Sequence, residues 1–385
     1  MKDKKKICIT LSFPFPAKTG TPLHAMEVVR ELKRRDLDVF VVQFSGWKNF
    51  KIKKEIWEDT LVYRIPFWYW FFYFIFILLK EKPDIIHSQH VGGAVNSIFP
   101  SKIFKIPLIY EAHSFWIAEA NLLNAKKGIM FYKDVIGERI VFKFADYIVT
   151  MSKKMKSTFM NEYNVKENKL KVVYPGADFD RFSIIKDRNL KIDGVKKEDK
   201  VIMYTGNFWP WQGIDLLLET VPYVLNEVPN VKYVLVGGNS QHIKEKKEKY
   251  KDYIDNVIFT GRQPHNLMSS FLNQSDVLVI PRPDYKINWT TPRKLGEYLT
   301  AGKPIVATDV GDHKLIIEYN DCGIVANIDP KDYAKDLIKA LEFDELKLRK
   351  IEKNTQKVLN NLLSMENSAN EYIDIYNELI DRKRW

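Results

Sequence analysis

Residues 290–311, TTPRKLGEYLTAGKPIVATDVG, combine the start of a helix with two basic side chains. Thr290 or Thr291 can cap this helix, and the proline that follows suits its first position, where a missing N–H costs nothing. Arg293 and Lys294 then stand in the first turn, although cations there oppose the helix dipole. Free backbone N–H groups, a positive dipole end and two cations together attract an anion. The pattern predicts a phosphate-binding helix start.

The same stretch predicts where the helix ends and what else it carries. Gly302 ends the helix, and residues 305–308 (IVAT) form a short buried strand. Glu297 lies four residues after Arg293, so it can form a surface ion pair with that arginine. Alternatively, Glu297 is a carboxylate aimed at a diol, such as the ribose of a nucleotide.

The segment PRKLGEYLTAGKPIVATDVG resembles the C-terminal signature of the retaining glycosyltransferases of family 4, in the variant P-x-K-L-x-E-Y-x-x-x-G-K-P. The resemblance implies an α/β protein with the GT-B fold, in which two Rossmann-like, doubly wound domains face each other across a cleft. It also implies that Glu297 binds the ribose of a nucleotide-sugar donor.

The chain departs from that family at three positions. The first glycine loop of the second domain usually carries an Arg and a Lys that bind the donor diphosphate, whereas this chain has Asn207 and Gln212. Trp289 stands eight residues before Glu297, where the family has a second Glu. Loss of two charge-assisted contacts costs several kcal/mol, on the order of 1.5–3 kcal/mol each. We therefore expect other cations to replace them, namely Arg262, Arg293 and Lys294, with Arg282 and Lys286 close to the site.

Two sets of site residues follow from the helix start and the resemblance. The nucleotide and diphosphate of the donor are predicted to contact Gly20, Gly206, Asn207, Gln212, Arg262, Thr291, Arg293, Lys294 and Glu297. The acceptor or the transferred sugar is predicted to contact Trp209, Trp211 and Arg282. The two tryptophans can stack on a base or a sugar, or they can simply close their loop.

Length and composition fit a globular protein of two domains. The chain has 385 residues, of which 45% are hydrophobic, and a formal net charge of +11. Much of the lysine alternates with glutamate, as at 244–252, which is typical of a solvated helix face. No nucleic-acid-binding signature stands out, so anionic lipid or anionic substrates are the expected partners of the excess charge. Two cysteines, Cys8 and Cys322, are too few for a disulfide framework, so we expect a cytoplasmic protein.

The N-terminal region reads as a strand–loop–helix–strand unit. Residues 7–11 and 39–44 are apolar strands, a Pro- and Gly-containing loop covers 12–22, and apolar residues recur at helical spacing from Ala25. This βαβ pattern implies a parallel sheet with ligands at the carboxyl ends of its strands. Gly20 in this loop can let the backbone approach a diphosphate closely. Alternatively, it simply forms a turn.

Residues 65–79, IPFWYWFFYFIFILL, carry no charge. The run is shorter than the roughly 20 residues that span a bilayer. A buried or groove-lining helix is one interpretation. An interfacial helix that dips into lipid is another, because tryptophan, tyrosine and nearby cations favour an interface. The second interpretation suits a lipid-linked acceptor and places the enzyme at the inner face of the cell membrane.

A histidine follows the strand at 107–110. The segment 111–116, EAHSFW, lies just beyond a parallel strand, where active sites are found. The family resemblance implies that His113 contacts the transferred sugar near the reacting carbon, and that Glu111 orients it or binds the acceptor. His113 and Glu111 are the predicted catalytic pair. His87 and His90, after the strand at 83–87, are weaker candidates.

No metal or other cofactor is expected. Asp178 and Asp180 form an Asp-x-Asp sequence, but the resemblance assigns 171–182 to the interdomain loop, and no His or carboxylate cluster in the nearby sequence completes a metal site. Instead, Arg, Lys and the helix dipole are expected to neutralise the diphosphate.

Three regions are predicted along the chain. Residues 1–180 form the acceptor domain, 181–365 form the donor domain, and 366–385 form a helix that crosses back to the first domain, as the resemblance implies. The predicted reaction is transfer of a hexosyl group from a nucleotide-diphosphate sugar to a hydroxyl of a lipid-linked sugar, polysaccharide or glycan, with retention. The alternatives are a sugar-nucleotide epimerase or hydrolase, and an inactive homologue that binds sugar or membrane.

Overall fold

The computed structural model describes residues 4–17, 20–45, 51–115, 129–177 and 190–384. The chain divides into two compact units. Unit 1 contains Met1–Tyr174 and Met365–Trp385, and unit 2 contains Pro175–Ser364. The sequence placed these divisions after residues 180 and 365.

Unit 1 is built on an eight-stranded sheet in the order β3-β4-β2-β1-β5-β6-β7-β8. Its strands are β1 (Lys6–Leu11), β2 (Asp38–Ser45), β3 (Lys53–Trp57), β4 (Thr60–Pro66), β5 (Ile85–Gln89), β6 (Leu108–Ala112), β7 (Tyr147–Thr150) and β8 (Leu170–Val172). The strands pair in parallel except β3, which is antiparallel to β4. The central strands are buried along their whole length, which explains their continuous apolar sequences.

The helices of unit 1 cover this sheet. They are α1 (Gly20–Arg34), α2 (Trp70–Glu81), α3 (Val91–Ile103), α4 (Ile129–Phe144), α5 (Lys153–Tyr163) and, from the end of the chain, α13 (Met365–Arg384). The loop predicted over 12–22 is shorter than expected, because α1 already begins at Gly20. α13 packs against α1, and six of its side chains belong to the core of unit 1: Met365, Ala369, Tyr372, Ile375, Tyr376 and Leu379.

Unit 2 is a second parallel sheet, in the order β11-β10-β9-β12-β13-β14. Its strands are β9 (Lys200–Gly206), β10 (Val231–Gly237), β11 (Val257–Gly261), β12 (Val277–Ile280), β13 (Ile305–Thr308) and β14 (Gly323–Ala326). Numbered from its first strand this order is 3-2-1-4-5-6, that of a doubly wound nucleotide-binding sheet. The strand order changes direction between β9 and β12, so the loops after these two strands flank the ligand crevice.

The helices of unit 2 follow its strands in alternation. They are α6 (Ile214–Glu219), α7 (Val221–Glu227), α8 (Ser240–Lys249), α9 (Met268–Asn273), α10 (Arg293–Ala301), α11 (Pro330–Leu341) and α12 (Glu345–Val358). α10 is the helix predicted to hold phosphate, and it ends at Gly302 with φ 67°, as the sequence predicted. Its start differs from the prediction. Pro292 occupies the cap position, and neither threonine caps the helix.

The uncharged segment at 65–79 divides between three elements. Ile65 and Pro66 end β4, Phe67–Tyr69 form a 3₁₀ turn, and α2 begins at Trp70. One face of α2 is buried through Phe74, Ile77 and Leu78, whereas Phe72 on another face is 78% exposed. Among the described residues, no helix is long and apolar enough to cross a bilayer.

Candidate functional site

The loop after β9 brings a lysine from α10 against its own glycine. A Cβ at Gly206 would lie 2.8 Å from the Lys294 ammonium and 2.9 Å from the Tyr204 hydroxyl. Gly206 also has φ 139°, a backbone conformation that side chains rarely adopt. Only glycine therefore lets Lys294 approach the end of β9.

The Lys294 ammonium has two close neighbours. It lies 3.9 Å from the centroid of the Tyr204 ring, which is cation–π distance. It also donates a hydrogen bond of 3.1 Å to the side-chain oxygen of Gln212. Gln212, one of the two residues that replace the family's cations, therefore contacts the amino group of a lysine that comes from α10.

The second substituted residue belongs to the same cluster. The Tyr204 hydroxyl donates to the backbone carbonyl of Asn207 at 2.7 Å and to Gln212 Oε1 at 3.1 Å. Tyr204 is fully buried, and Gln212 is buried. One tyrosine hydroxyl thus contacts both ends of the loop from Gly206 to Gln212. The side-chain oxygen of Gln212 also accepts the hydrogen bond from Lys294.

Burial sets the charge state of this cluster. Burial, followed by the positive charge of Arg282, lowers the pKa of Lys294 well below its usual value, although Glu297 acts in the opposite direction. Burial also raises the pKa of Tyr204 well above 10, so its hydroxyl stays protonated. The lysine therefore sits where an approaching anion would favour its charged form.

Arg282 lies on the other side of the strand-order change, after β12. It is 8% exposed and donates to the carbonyl of Thr290 at 3.4 Å, while its Nε has no hydrogen-bond partner. Burial lowers the pKa of Arg282 to about 10, so it remains a cation at neutral pH. A buried guanidinium N–H without a partner is costly, of order 1–3 kcal/mol, and a bound anion would satisfy it.

Two more buried polar atoms near Arg282 lack partners. Thr291 Oγ1 is one, and Nε2 of His313 is the other. Nδ1 of His313 donates to the carbonyl of Thr308 at 2.9 Å, and Thr308 donates to the carbonyl of Arg282 at 2.5 Å. Burial lowers the pKa of His313 to about 4, so the ring is neutral and Nε2 is an acceptor. His313 was not among the site residues predicted from the sequence.

Glu297 contacts a histidine from the loop after β11. Its carboxylate lies 3.2 Å from Nε2 of His265, and its side chain is 16% exposed. The other predicted donor residues are dispersed. Arg262 is exposed in the turn after β11, and in the described part of the chain no hydrogen bond or ion pair joins it to this cluster. Arg293 is half-buried in the first turn of α10.

Trp209 and Trp211 stack on each other. Their ring centroids are 5.3 Å apart with an interplanar angle of 3°, and His242 packs edge-on against Trp209. Asn288 donates to the carbonyl of Trp211 at 2.8 Å, which fixes the end of the loop. The pair thus closes its own loop, while a role in binding sugar stays a prediction.

In unit 1, Glu111 is the centre of a buried network at the carboxyl ends of β5 and β6. Its two oxygens accept hydrogen bonds from His24 at 2.8 Å, His87 at 3.0 Å and Gln89 at 2.6 Å. The hydroxyl of Tyr372 is a fourth donor. Burial alone raises the pKa of Glu111, but its histidine partners outweigh burial and hold this pKa well below the usual value.

His113 joins this network through Gln89. Its Nε2 donates to the side-chain oxygen of Gln89 at 2.8 Å, and Nε2 lies 3.7 Å from Glu111. Burial lowers the pKa of His113 to about 3, although Glu111 acts in the opposite direction. His113 is therefore a neutral imidazole at working pH, and its contact with the transferred sugar stays a prediction. Glu111 is fully buried among its hydrogen-bond donors, and its predicted role in orienting His113 or binding the acceptor also stays a prediction.

The two weaker histidine candidates have structural partners. His87 bonds Glu111 through Nε2 and accepts from the hydroxyl of Tyr376 at Nδ1, 2.7 Å away. His90 caps α3 with φ 90° and lies 3.3 Å from Ser12. Burial lowers the pKa of His90 to about 4.

Three ligating side chains in this network are close enough to share a cation. One ligand atom each from His24, Glu111 and His113 lie within 4.8 Å of one another. In the structure, Nε2 of His24 donates to Glu111 and Nε2 of His113 donates to Gln89. The expectation that no metal takes part stays a prediction. Gly20 is the first residue of α1, and its predicted role stays a prediction. Asp178 and Asp180 lie outside the described residues.

Sequence reasoning missed several members of these clusters. His24 on α1, Gln89 on β5 and Tyr376 on α13 come from elements far from Glu111 along the chain. Gln89 was open to detection, because it lies within the HSQH segment after a predicted strand. Tyr204 and the contact of Lys294 with Gln212 needed the packing of α10 on β9.

Two doubly wound units, with a basic helix start at the ligand crevice of the second, define a GT-B glycosyltransferase. Residues 19–181 match the family model for Glycosyltransferase Family 4, and residues 199–342 match the model for Glycosyl transferases group 1. These two matches together cover most of the chain. The chain belongs to glycosyltransferase family 4, and the predicted fold and enzyme class are confirmed.

Similar proteins agree with this assignment. The chain is 24% identical to an uncharacterized glycosyltransferase of Methanocaldococcus jannaschii, over 98% of this chain and all of that protein. Its structure resembles sucrose-phosphate synthase from Thermosynechococcus elongatus with a TM-score of 0.77, 17% identity, and coverage of 98% and 100%. It also resembles Anabaena HepE in complex with UDP, with a TM-score of 0.71, 16% identity, and coverage of 97% and 100%.

Proposed function

We propose that this protein is a retaining, metal-independent glycosyltransferase that moves a hexosyl group from a nucleotide-diphosphate sugar to a hydroxyl acceptor. One observation carries the proposal. Lys294, from the first turn of α10, lies against Gly206 and Gln212 in the loop where the family usually has its own cations. The diphosphate charge thus has a replacement partner in unit 2.

The donor phosphates bind at the start of α10. The free N–H groups and the positive dipole end of this helix attract the diphosphate. Lys294 supplies a cation next to Gly206, and the unpartnered Nε of buried Arg282 supplies a second donor. Anabaena HepE, a structural neighbour, has been solved with UDP and with UDP-glucose. UDP-sugars are therefore the first donors to examine.

Glu297 binds the ribose of the donor. Its carboxylate is partly exposed and is held by His265 at 3.2 Å. A carboxylate accepts hydrogen bonds from both hydroxyls of a vicinal diol, and such charged hydrogen bonds contribute about 1.5–3 kcal/mol. The alternative interpretation, a purely structural surface pair, predicts no effect of the ribose hydroxyls on affinity.

Chemistry at the anomeric carbon follows from the same groups. As the bond between that carbon and the diphosphate oxygen breaks, Lys294, Arg282 and the helix dipole stabilise the developing negative charge. The acceptor hydroxyl forms the new bond on the face that the diphosphate leaves, and its proton passes to the departing phosphate oxygen. The configuration is retained without a covalent enzyme intermediate. Neutral His113 accepts a hydrogen bond from the transferred sugar, as the family resemblance implies.

No metal is required in this proposal, because protein cations and the helix dipole neutralise the phosphates. The test is calorimetric titration with UDP, GDP, ADP and dTDP, with and without Mg²⁺. We expect one diphosphate to bind equally well in both conditions. If none binds, the replacement of the family's cations has failed, and the chain is an inactive homologue. If binding requires Mg²⁺, the metal-independent mechanism is wrong.

The stereochemistry is tested with the donor that binds. Nuclear magnetic resonance of the early product gives the anomeric configuration directly. Retention requires the product to keep the configuration of the donor sugar. Free sugar formed at the same rate without acceptor would identify a hydrolase, and an altered nucleotide sugar would identify an epimerase.

We also propose that unit 1 contacts a membrane surface, which fits a lipid-linked acceptor. An aromatic patch covers neighbouring faces of α2 and α3, and Phe71 joins them because its ring lies 5.4 Å from both Phe72 and Phe99. The exposed members of this aromatic patch are Trp68, Tyr69, Phe72, Phe76, Leu79, Phe99 and Ile103. Monomeric soluble proteins rarely expose contiguous apolar surfaces of this kind without a partner.

Charge identifies the partner as an anionic bilayer. Four exposed lysines stand at the ends of α2 and α3, namely Lys80, Lys82, Lys102 and Lys105. Residues 65–79 contain no acidic side chain. Each such cation near an anionic surface contributes about 1 kcal/mol. Exposed aromatic side chains bordered by lysine are typical of interfacial helices.

Vesicle flotation tests this contact. We expect the protein to bind vesicles of phosphatidylglycerol and phosphatidylcholine, and binding to fall at least about tenfold with neutral vesicles or with Phe72→Ser plus Phe76→Ser. Tyr319→Ser is the matched control, because Tyr319 is 70% exposed in unit 2. Equal loss in the control, or no binding by the wild type, contradicts the proposal. Dimer formation through the aromatic patch would also contradict it.

A further inference from the structure

Among the described residues, no carboxylate forms a hydrogen bond or an ion pair with the Lys294 side chain. Its contacts are the Tyr204 ring at 3.9 Å and the amide oxygen of Gln212 at 3.1 Å. Neither group carries a negative charge. We infer that Lys294 rests as the neutral amine in the free protein and binds the donor diphosphate as the ammonium, so that nucleotide binding takes up a proton. This inference rests on the proposed donor site in unit 2.

The charged and titratable groups around Lys294 do not stabilise its ammonium in the free protein. Tyr204, from β9, is fully buried and stays protonated. Arg282, after β12, contributes a repulsive positive charge, and Glu297, on α10 itself, contributes a weaker attraction. Arg293 is a further cation in the same helical turn. Position at the start of α10 adds the unfavourable dipole end.

The geometry also shows why an anion changes this balance. An ammonium has three N–H donors, and Gln212 accepts one of them. The remaining contact, with the Tyr204 ring face, is weaker than a charged hydrogen bond, at about 0.5–2 kcal/mol. A diphosphate oxygen at the start of α10 gives Lys294 the opposite charge that the free protein lacks. An opposite charge within about 4–6 Å favours the charged form.

The sign of the pH dependence follows. In the free protein, burial holds the pKa of Lys294 well below its usual value of 10.5. A bound diphosphate shifts this pKa upward, so between the free and the bound value the complex holds one more proton than its components. Affinity therefore falls as pH rises within that window, by up to about tenfold per pH unit for one proton.

Lys294 is the main group expected to take up a proton on nucleotide binding when the measurement is made at pH 8–9.5. The terminal phosphate of a nucleoside diphosphate loses its last proton near pH 6, as phosphate esters do. The variant His265→Gln tests for a contribution from the histidine that contacts Glu297. Tyr204 keeps its proton throughout this range because its pKa is well above 10, and Arg282, with a pKa of about 10, stays almost fully protonated at pH 8.5, where the protons are counted.

The test is isothermal titration of the full chain with UDP, or with whichever diphosphate binds, at pH 8.5 in two buffers of different ionisation enthalpy. The difference in observed heat gives the number of protons exchanged. We expect uptake of about one proton and a loss of affinity from pH 8 to 9.5. Lys294→Arg should bind without uptake, because arginine stays charged. His265→Gln should keep the uptake.

The outcomes separate this inference from the proposed function. Binding by the wild type without uptake, or uptake that persists in Lys294→Arg, overturns the inference and leaves the donor site standing. If no diphosphate binds at any pH, the proposed function itself is wrong. Lys294→Gln provides a second check, since it should bind more weakly and lose the uptake. Circular dichroism of each variant shows whether it is folded.

Discussion

Gln212 shows how a substituted residue can still place a basic side chain in the same loop. In the family a lysine stands at this position, and its loss removes a cation from the glycine loop. Here Gln212 Oε1 accepts from Lys294 and from Tyr204, so the amide holds a lysine that comes from α10. A lysine amino group thus lies in the same loop although it comes from another element.

Part of both sites could be predicted from single residues. Lys294 was selected by its position at a helix start, whereas Glu297 and His113 were selected with the help of the family resemblance. The partners of these residues could not be selected, because Gln89, His24 and Tyr376 come from other elements. A hydrogen bond such as the one between His87 and Tyr376, separated by 289 positions, exists only after the chain has folded.

Glu297→Ala is predicted to weaken donor binding through the ribose. The loss of a charged hydrogen bond, about 1.5–3 kcal/mol, should raise the Kd of the diphosphate by about 10- to 100-fold. The matched ligand is a 2′,3′-dideoxy nucleotide, measured by the same calorimetry. Wild type should bind it more weakly than the ribonucleotide, and Glu297→Ala should bind both equally. Discrimination that survives in the variant would assign the ribose to another residue.

His113→Ala is predicted to lower turnover by about a hundredfold with little change in donor affinity, because the ring contacts the sugar as bonds change. Gln89→Leu should give a smaller fall in kcat, since it disconnects His113 from Glu111 but keeps the ring. Steady-state kinetics separate kcat from KM for each variant. A rise in KM alone would make His113 a ground-state binding residue, and unchanged rates would remove it from the site.

At the scale of elements, apolar strands were predictable and a polar one was not. Residues 305–308 form a strand with the bounds that the sequence indicated. β3 was missed because it is an edge strand with two exposed lysines, Lys53 and Lys54, and its stability comes from pairing with β4. The start of α10 was misplaced because its first turn is fixed by packing.

Gly213→Ala is predicted to destabilise unit 2 strongly. Gly213 has φ 76°, and a Cβ there would lie 1.6 Å from the carbonyl oxygen of Pro281. The clash is with backbone atoms, so it cannot be relieved by moving a flexible side chain. We therefore expect the free energy of unfolding to fall by more than about 3 kcal/mol. Gly261→Ala is the control, because Gly261 has φ 68° with open space around it. It should cost only about 1–2 kcal/mol.

Urea unfolding, followed by tryptophan fluorescence, measures both variants. Both glycines have positive φ, so the cost of backbone strain is similar in the two variants. The difference between their free energies of unfolding therefore gives the cost of steric overlap at Gly213. Equal stabilities for the two variants would mean that the loop after β12 moves away from Gly213 at little cost.

At the scale of the whole molecule, the chain leaves unit 1 once and returns once. The bridge between Ala177 and Ser364 closes unit 2, and Ala177 also donates to the carbonyl of Leu363 at 2.8 Å. Unit 2 has its own apolar core and contains the predicted diphosphate residues apart from Gly20. Unit 1, in contrast, depends on the end of the chain, because α13 supplies six of its core side chains and the tyrosines that bond Glu111 and His87.

A fragment of residues 175–364 is therefore predicted to fold and to bind the nucleoside diphosphate with a Kd within about threefold of the full chain. A fragment of residues 1–174 should fail to fold, because each large apolar side chain of α13 that it lacks contributes about 1.5–3 kcal/mol, against a typical domain stability of 5–15 kcal/mol. Thermal melts and calorimetry check both fragments.

Adding residues 365–385 to the second fragment through a flexible linker should restore cooperative unfolding. If the 175–364 fragment folds but binds at least about thirtyfold more weakly, corresponding to about 2 kcal/mol, the donor site needs residues of unit 1, and the assignment of the diphosphate to unit 2 alone is wrong.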